Sequence, residues 1–97
     1  MTLPEAAPAR CRPGDLAMVI RAHHPENMGR IVRVTSPERG QSGYRFPWPG
    51  PTWWVEVERE PMLWLIAGRP HAMYHGPVAD CCLQPICGPE EYFDIAF

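Results

Sequence analysis

The chain contains no lysine; all nine of its basic residues are arginine. With abundant proline, alanine and glycine, that choice fits the codon bias of a high-GC bacterial or phage gene, and it carries no mechanism. Positive charge is not in excess either. Eleven acidic residues against nine arginines leave a formal net charge of −2, which argues against binding nucleic acid by bulk electrostatics. No apolar run approaches the roughly 18 residues that a membrane-spanning helix needs, so no membrane span is expected. The N-terminus has no basic n-region and no apolar h-region, so a secretory signal is not expected and the cytoplasm is the expected location. Long helices are disfavoured as well, because 13 prolines in 97 residues break helical hydrogen bonding and force turns.

What remains is one domain's length with a modest core. Residues 1–11, rich in Pro and Ala, read as a flexible lead-in, and residues 12–97 as a single domain. The four cysteines, Cys11, Cys81, Cys82 and Cys87, are expected as reduced thiols in a chain without a secretory signal. Adjacent Cys81 and Cys82 would point to opposite faces of a strand, so at most one belongs in the core.

The central stretch is 12–34, which reads strand, turn, strand. Over 15–22, Leu16, Met18 and Ile20 alternate with Ala17, Val19 and Arg21, the period-2 pattern of a strand with one face inward. Pro25, Asn27 and Gly29 break the run, and Ile31, Val32 and Val34 resume it. Residues 36–51 read as a long loop with an aromatic tip, and loops of that length are often functional or disordered. The strand signal over 52–59 is the cleanest in the chain: Trp53, Val55 and Val57 form a core face, while Trp54 is left on the polar face with Glu56 and Glu58. Residues 62–67 form a short apolar run that reads as a strand, although periodicity alone does not separate it from helix. Residues 69–77 read as an irregular connection. Residues 78–86 read as a short strand or a 3₁₀ turn that places Leu83 and Ile86 inward, with Pro85 keeping it from the centre of a sheet. Pro89 followed by two acids is helix-start chemistry, so one or two helical turns are expected in the tail.

Residues 13–20 (Pro-Gly-Asp-Leu-Ala-Met-Val-Ile), 26–29 (Glu-Asn-Met-Gly) and 30–34 (Arg-Ile-Val-Arg-Val) resemble the KOW-type motif of SH3-like barrels. That motif opens on Gly-Asp before a strand, sets a glycine after a short loop and continues into a Val/Ile strand. Gly14 would let the chain turn into the strand, and Gly29 suits a position with positive φ. The stretch 80–86 is similar to the last short strand of such barrels, where a Leu and an Ile plug the open end. The resemblance covers roughly a third of the chain. It implies a mainly β fold: a small, partly open SH3-like barrel of about five strands with long irregular loops. Small barrels of this kind host many roles. KOW domains commonly contact RNA or the proteins of transcription and translation.

The residues offer four chemistries. Tyr44, Arg45, Phe46 and Trp48 on the long loop, with Trp54 on the neighbouring strand, form an aromatic surface suited to a protein or peptide partner; alternatively the loop folds back and its aromatics serve as a core lid. His71 and His75 with Cys81, Cys82 and Cys87 supply zinc-type ligands, but the spacing of Cys82 and Cys87 exceeds the usual knuckle, so no metal and no cofactor is expected. Cysteines beside His23 and His24 offer a nucleophile and a base, yet no diagnostic spacing accompanies them and catalysis is not expected. Arg21, Arg30 and Arg33 lie on or beside the first hairpin as a possible stripe for nucleic acid. The reading is therefore a non-catalytic module that recognises a protein or peptide through its aromatic loop. A KOW-like nucleic-acid-associated domain is the alternative, and a structural zinc or thiol protein the third. An exposed sheet edge also leaves dimerisation by strand pairing open.

Overall fold

The computed structural model of the chain describes residues 9–44 and 47–88. These are mainly β, with seven strands, two 3₁₀ turns and no α-helix among the described residues. The strands are β1 (Leu16–Val19), β2 (Ile31–Glu38), β3 (Thr52–Glu56), β4 (Met62–Ile66), β5 (Arg69–Met73), β6 (His75–Ala79) and β7 (Leu83–Cys87). Five form one antiparallel sheet in the order β6-β3-β2-β1-β7, and β4 and β5 form a separate hairpin. The larger sheet supplies the five strands expected, but its end strands β6 and β7 do not pair and the barrel is not closed.

The first hairpin forms where the sequence places it, and its turn chemistry is explicit. Gly14 and Gly29 take φ of +92° and +79°, a region that costs glycine least. Asp15 Oδ2 accepts from the Arg12 backbone N–H at 2.8 Å, while Gly14 N–H donates to Val34 O at 2.7 Å. One face of β1 is buried, as its alternation implies. Ala17 and Val19 are buried, whereas Met18 and Ile20 are exposed, because β1 is covered on one face only and the smaller set fits against Val32, Val34 and Val55.

On β3 the alternation holds: Trp53, Val55 and Val57 are buried, Trp54 is half-buried and Glu56 is exposed. Leu83 is fully buried, but Ile86 is 53% exposed. The β1–β7 register shifts between Leu16 and Ala17, leaving Ile86 as the extra residue of a bulge. Cys82 is buried and Cys81 half-buried, though they sit on a 3₁₀ turn (Asp80–Cys82) and not on a strand.

Residues 69–77 are not an irregular connection; they build all of β5 and the first three residues of β6. Ala67 and Gly68, both with positive φ, make the two-residue turn that matches strand twist in a hairpin. Pro77 is tolerated because β6 is an edge strand. The lead-in meets the body at Arg10 and Cys11. Cys11 is 1% exposed, and both residues are fixed by Asp80. The helical turns expected after Pro89 lie outside the described residues.

The hairpin is held by side chains that stand in for a neighbouring strand. Asn27, buried in the 3₁₀ turn Pro25–Asn27, donates from Nδ2 to Leu63 O at 2.8 Å and accepts from Leu63 N–H at 3.0 Å. Arg30 donates to Pro61 O at 3.0 Å and to Glu60 O. Tyr44 Oη accepts from Leu65 N–H at 3.2 Å. A row of backbone groups along the outer edge of β4 is thus satisfied without a strand beside it.

Candidate functional site

Two concavities open where the hairpin stands beside β6, and the aromatic residues singled out in the sequence divide between them. A groove of about 530 Å³ runs between Trp54, His75 and Pro77 on the sheet and Leu65, Ile66 and Met73 on the hairpin, with Tyr44 at one end. A smaller cavity of about 170 Å³ takes in Trp48 and the turn bearing His23 and His24. Tyr44, Trp64, Leu65 and Pro77 line both.

Glu38 places Tyr44. This buried carboxylate ends β2 and accepts from the backbone N–H of Gly40 and, at 3.3 Å, of Ser42. Ser42 Oγ then accepts from Tyr44 N–H at 3.1 Å. The Tyr44 ring packs against the core cluster, so this aromatic serves the core as well as the groove. Trp54 stays half-buried because its neighbours across the sheet are Ser36 and Pro77, which are too small to cover an indole. Arg45 and Phe46 lie outside the described residues.

Sequence reasoning missed Trp64, Gly76 and Met73. Trp64 is buried, its Nε1 donates to Pro77 O at 2.8 Å, and its ring lies flat on Gly76. A Cβ there would stand 2.7 Å from Trp64 Cδ2. The available signal was the Gly-Pro pair beside a tryptophan-bearing strand, since a strand glycine marks close approach by another group.

The other candidates separate in space. His71 pairs with Trp64 in the hairpin, while His75 pairs with Glu56 in the larger sheet. Among the described residues, no group of three or more His, Cys, Asp and Glu side chains is arranged to hold a metal ion. Burial pushes the Cys11 thiol up to about 12, aided by the charges of Asp80 and Asp15. Burial, with Cys81 adjacent, likewise raises Cys82 to about 12. Neither is a ready thiolate nucleophile. Of the arginines, Arg30 and Arg33 border one surface concavity with Arg59, Glu56 and Glu58, Arg30 also donating to the turn before β4, while Arg21 borders the smaller cavity.

Below the groove the frame is anchored by Asp80. Its carboxylate accepts from Arg10 N–H, Cys11 N–H and Trp53 Nε1–H, each at 2.9 Å, and the Arg10 guanidinium lies 3.8 Å away. Burial alone would raise this carboxyl, but the hydrogen bonds and the arginine outweigh it and hold the carboxyl below its ordinary value. Among the described residues, no helix is long and apolar enough to cross a membrane. In comparison with known proteins, the chain matches no protein family, no curated protein and no solved structure.

Proposed function

We propose that the chain is a non-catalytic binding module that takes up a protein or peptide segment in the groove between β6 and the β4–β5 hairpin. The observation that carries this reading is the half-exposed Trp54 beside Tyr44 and Met73, in a groove whose volume lies in the usual range for ligand sites. Tryptophan and tyrosine combine large apolar area with few rotatable bonds, and such residues dominate binding energy at interfaces. Met73 adds an adaptable wall, and His75 supplies a polar handle. Kinship with the KOW-type, SH3-like barrels belongs to the same reading, supported by Gly14 and Gly29 at positive φ where that motif sets glycine. An intracellular setting is supported by Cys11 and Cys82, which enter the core as thiols.

Selection of peptides from a random display library against the wild-type chain tests the reading. Selected peptides should lose at least about 2 kcal/mol of binding, some thirtyfold, to Trp54→Ala, in a variant whose thermal unfolding remains cooperative. If the selection yields no binder, or binders that hold Trp54→Ala equally well, the groove is not the recognition site.

A further inference from the structure

Across β1, β2 and β7 the larger sheet is covered on one face only. On the other face Met18 stands opposite Ile31 in the β1–β2 register, and both side chains are exposed. Ile20, two residues on from Met18, and Ile86 on β7 are exposed as well. Single exposed apolar side chains are ordinary on a protein surface, whereas neighbouring ones mark a contact surface. A concavity of about 380 Å³ adjoins this group, with Leu16 and Ile31 in its lining. Its rim carries Arg30, Arg33 and Arg59 against Glu56 and Glu58, a positive balance.

The chain leaves β7 beside this surface. Cys87 pairs with Leu16, Leu16 with Arg33 and Arg33 with Glu56, so one row of neighbours leads from the end of β7 to the concavity. Gly88-Pro89 follows, a dipeptide that turns a chain. Residues 89–97 then supply Tyr92, Phe93, Ile95 and Phe97 together with Glu90, Glu91 and Asp94, and no arginine. They hold the whole acidic excess, since the rest of the chain sets nine arginines against eight acids. Strands lie about 4.8 Å apart, so four or five extended residues at roughly 3.3 Å each span the distance from β7 to β3. That count brings Tyr92 and Phe93 to the concavity.

We propose that residues 89–97 turn back at Gly88-Pro89 and dock on the outer face of β7, β1 and β2. Tyr92 and Phe93 seat against Met18, Ile31 and the concavity, and the three acids lie toward its arginine rim. The tail is thereby the second cover of the sheet, on a surface separate from the peptide groove.

Nuclear Overhauser spectra of the full chain test this docking, read between the ring protons of Tyr92, Phe93 and Phe97 and the methyl groups of Met18, Ile31 and Ile86. The result expected is cross-peaks between the two sets that persist on dilution. The amides of 92–97 should also be protected from hydrogen exchange. Ile31→Glu, at a position 46% exposed, should lower that protection about tenfold, the worth of partly burying one isoleucine. Should this variant not fold, the wild-type cross-peaks decide alone. Three outcomes overturn the proposal. They are no cross-peaks, with 92–97 exchanging at the unprotected rate; cross-peaks that fade on dilution, which assign the face to a second copy; and ring contacts with Trp54 and Met73 instead, which put the tail in the peptide groove.

Discussion

Asp80 accepts hydrogen bonds from Arg10 N–H, Cys11 N–H and Trp53 Nε1–H at a position only 4% exposed. Three donors converge on one carboxylate, so its removal leaves the buried Cys11 N–H and Trp53 indole, and the part-buried Arg10 N–H, without their acceptor. Each costs on the order of 1–3 kcal/mol when unsatisfied. Asp80→Asn retains one acceptor oxygen but turns an amide NH₂ toward donors, and it should destabilise the chain by about 3 kcal/mol at pH 7, measured by urea unfolding. The pH dependence has a definite sign. An unfolded aspartate titrates near about 3.9, and the folded carboxyl lies lower. Its contribution is therefore complete above that unfolded value and is lost as pH falls through the folded one. The gap between wild type and Asp80→Asn should narrow in acid; a gap unchanged down to pH 3 would show that the carboxylate's charge is not what anchors the lead-in.

The β4–β5 hairpin rests on a different device. Asn27 offers Leu63 a donor and an acceptor together, as a paired strand residue would. Asn27→Asp keeps the acceptor for Leu63 N–H and sets an anionic oxygen against Leu63 O. It should cost about 2 kcal/mol, with the loss concentrated in faster amide hydrogen exchange over 62–73 while β1–β2 amides stay protected. Uniform deprotection of both sheets would mean that the hairpin is not a separately opening unit. This element also marks where the sequence stopped being legible. Strand β3 is readable because Trp53, Val55 and Val57 alternate with Trp54, Glu56 and Glu58 under a one-sided core. Strand β5, Arg-Pro-His-Ala-Met, has no alternation because it lies on the outside of a two-stranded sheet, with all but Met73 exposed. In β1 alternation shows a one-sided strand but not which side is inward, and the inward set is the smaller one, Ala17 and Val19.

For the molecule as a whole, a mainly β domain with a central hairpin over 12–34 was legible from alternation and turn residues. The candidate site was legible only as a set of aromatics. Trp54 stood out as an indole on a polar face, and Tyr44 and Trp48 as aromatics on a long loop. Their division into a groove and a cavity depends on where the hairpin docks against β6, a long-range packing choice carried by Trp64 on Gly76 and by Tyr44 on Leu65. No local pattern encodes that docking, so Met73 and Trp64 were not foreseen as walls of the site.

Recognition through the groove is tested most directly at Trp54 itself, by acrylamide quenching of tryptophan fluorescence in wild type and in Trp54→Phe, with and without a selected peptide. The difference between the two proteins isolates the Trp54 emission. The account predicts that this emission is quenched readily in the free chain and becomes shielded when peptide is added, while Trp54→Phe shows little change. A Trp54 already shielded in the free monomer, or one whose quenching peptide leaves unaltered, would contradict it.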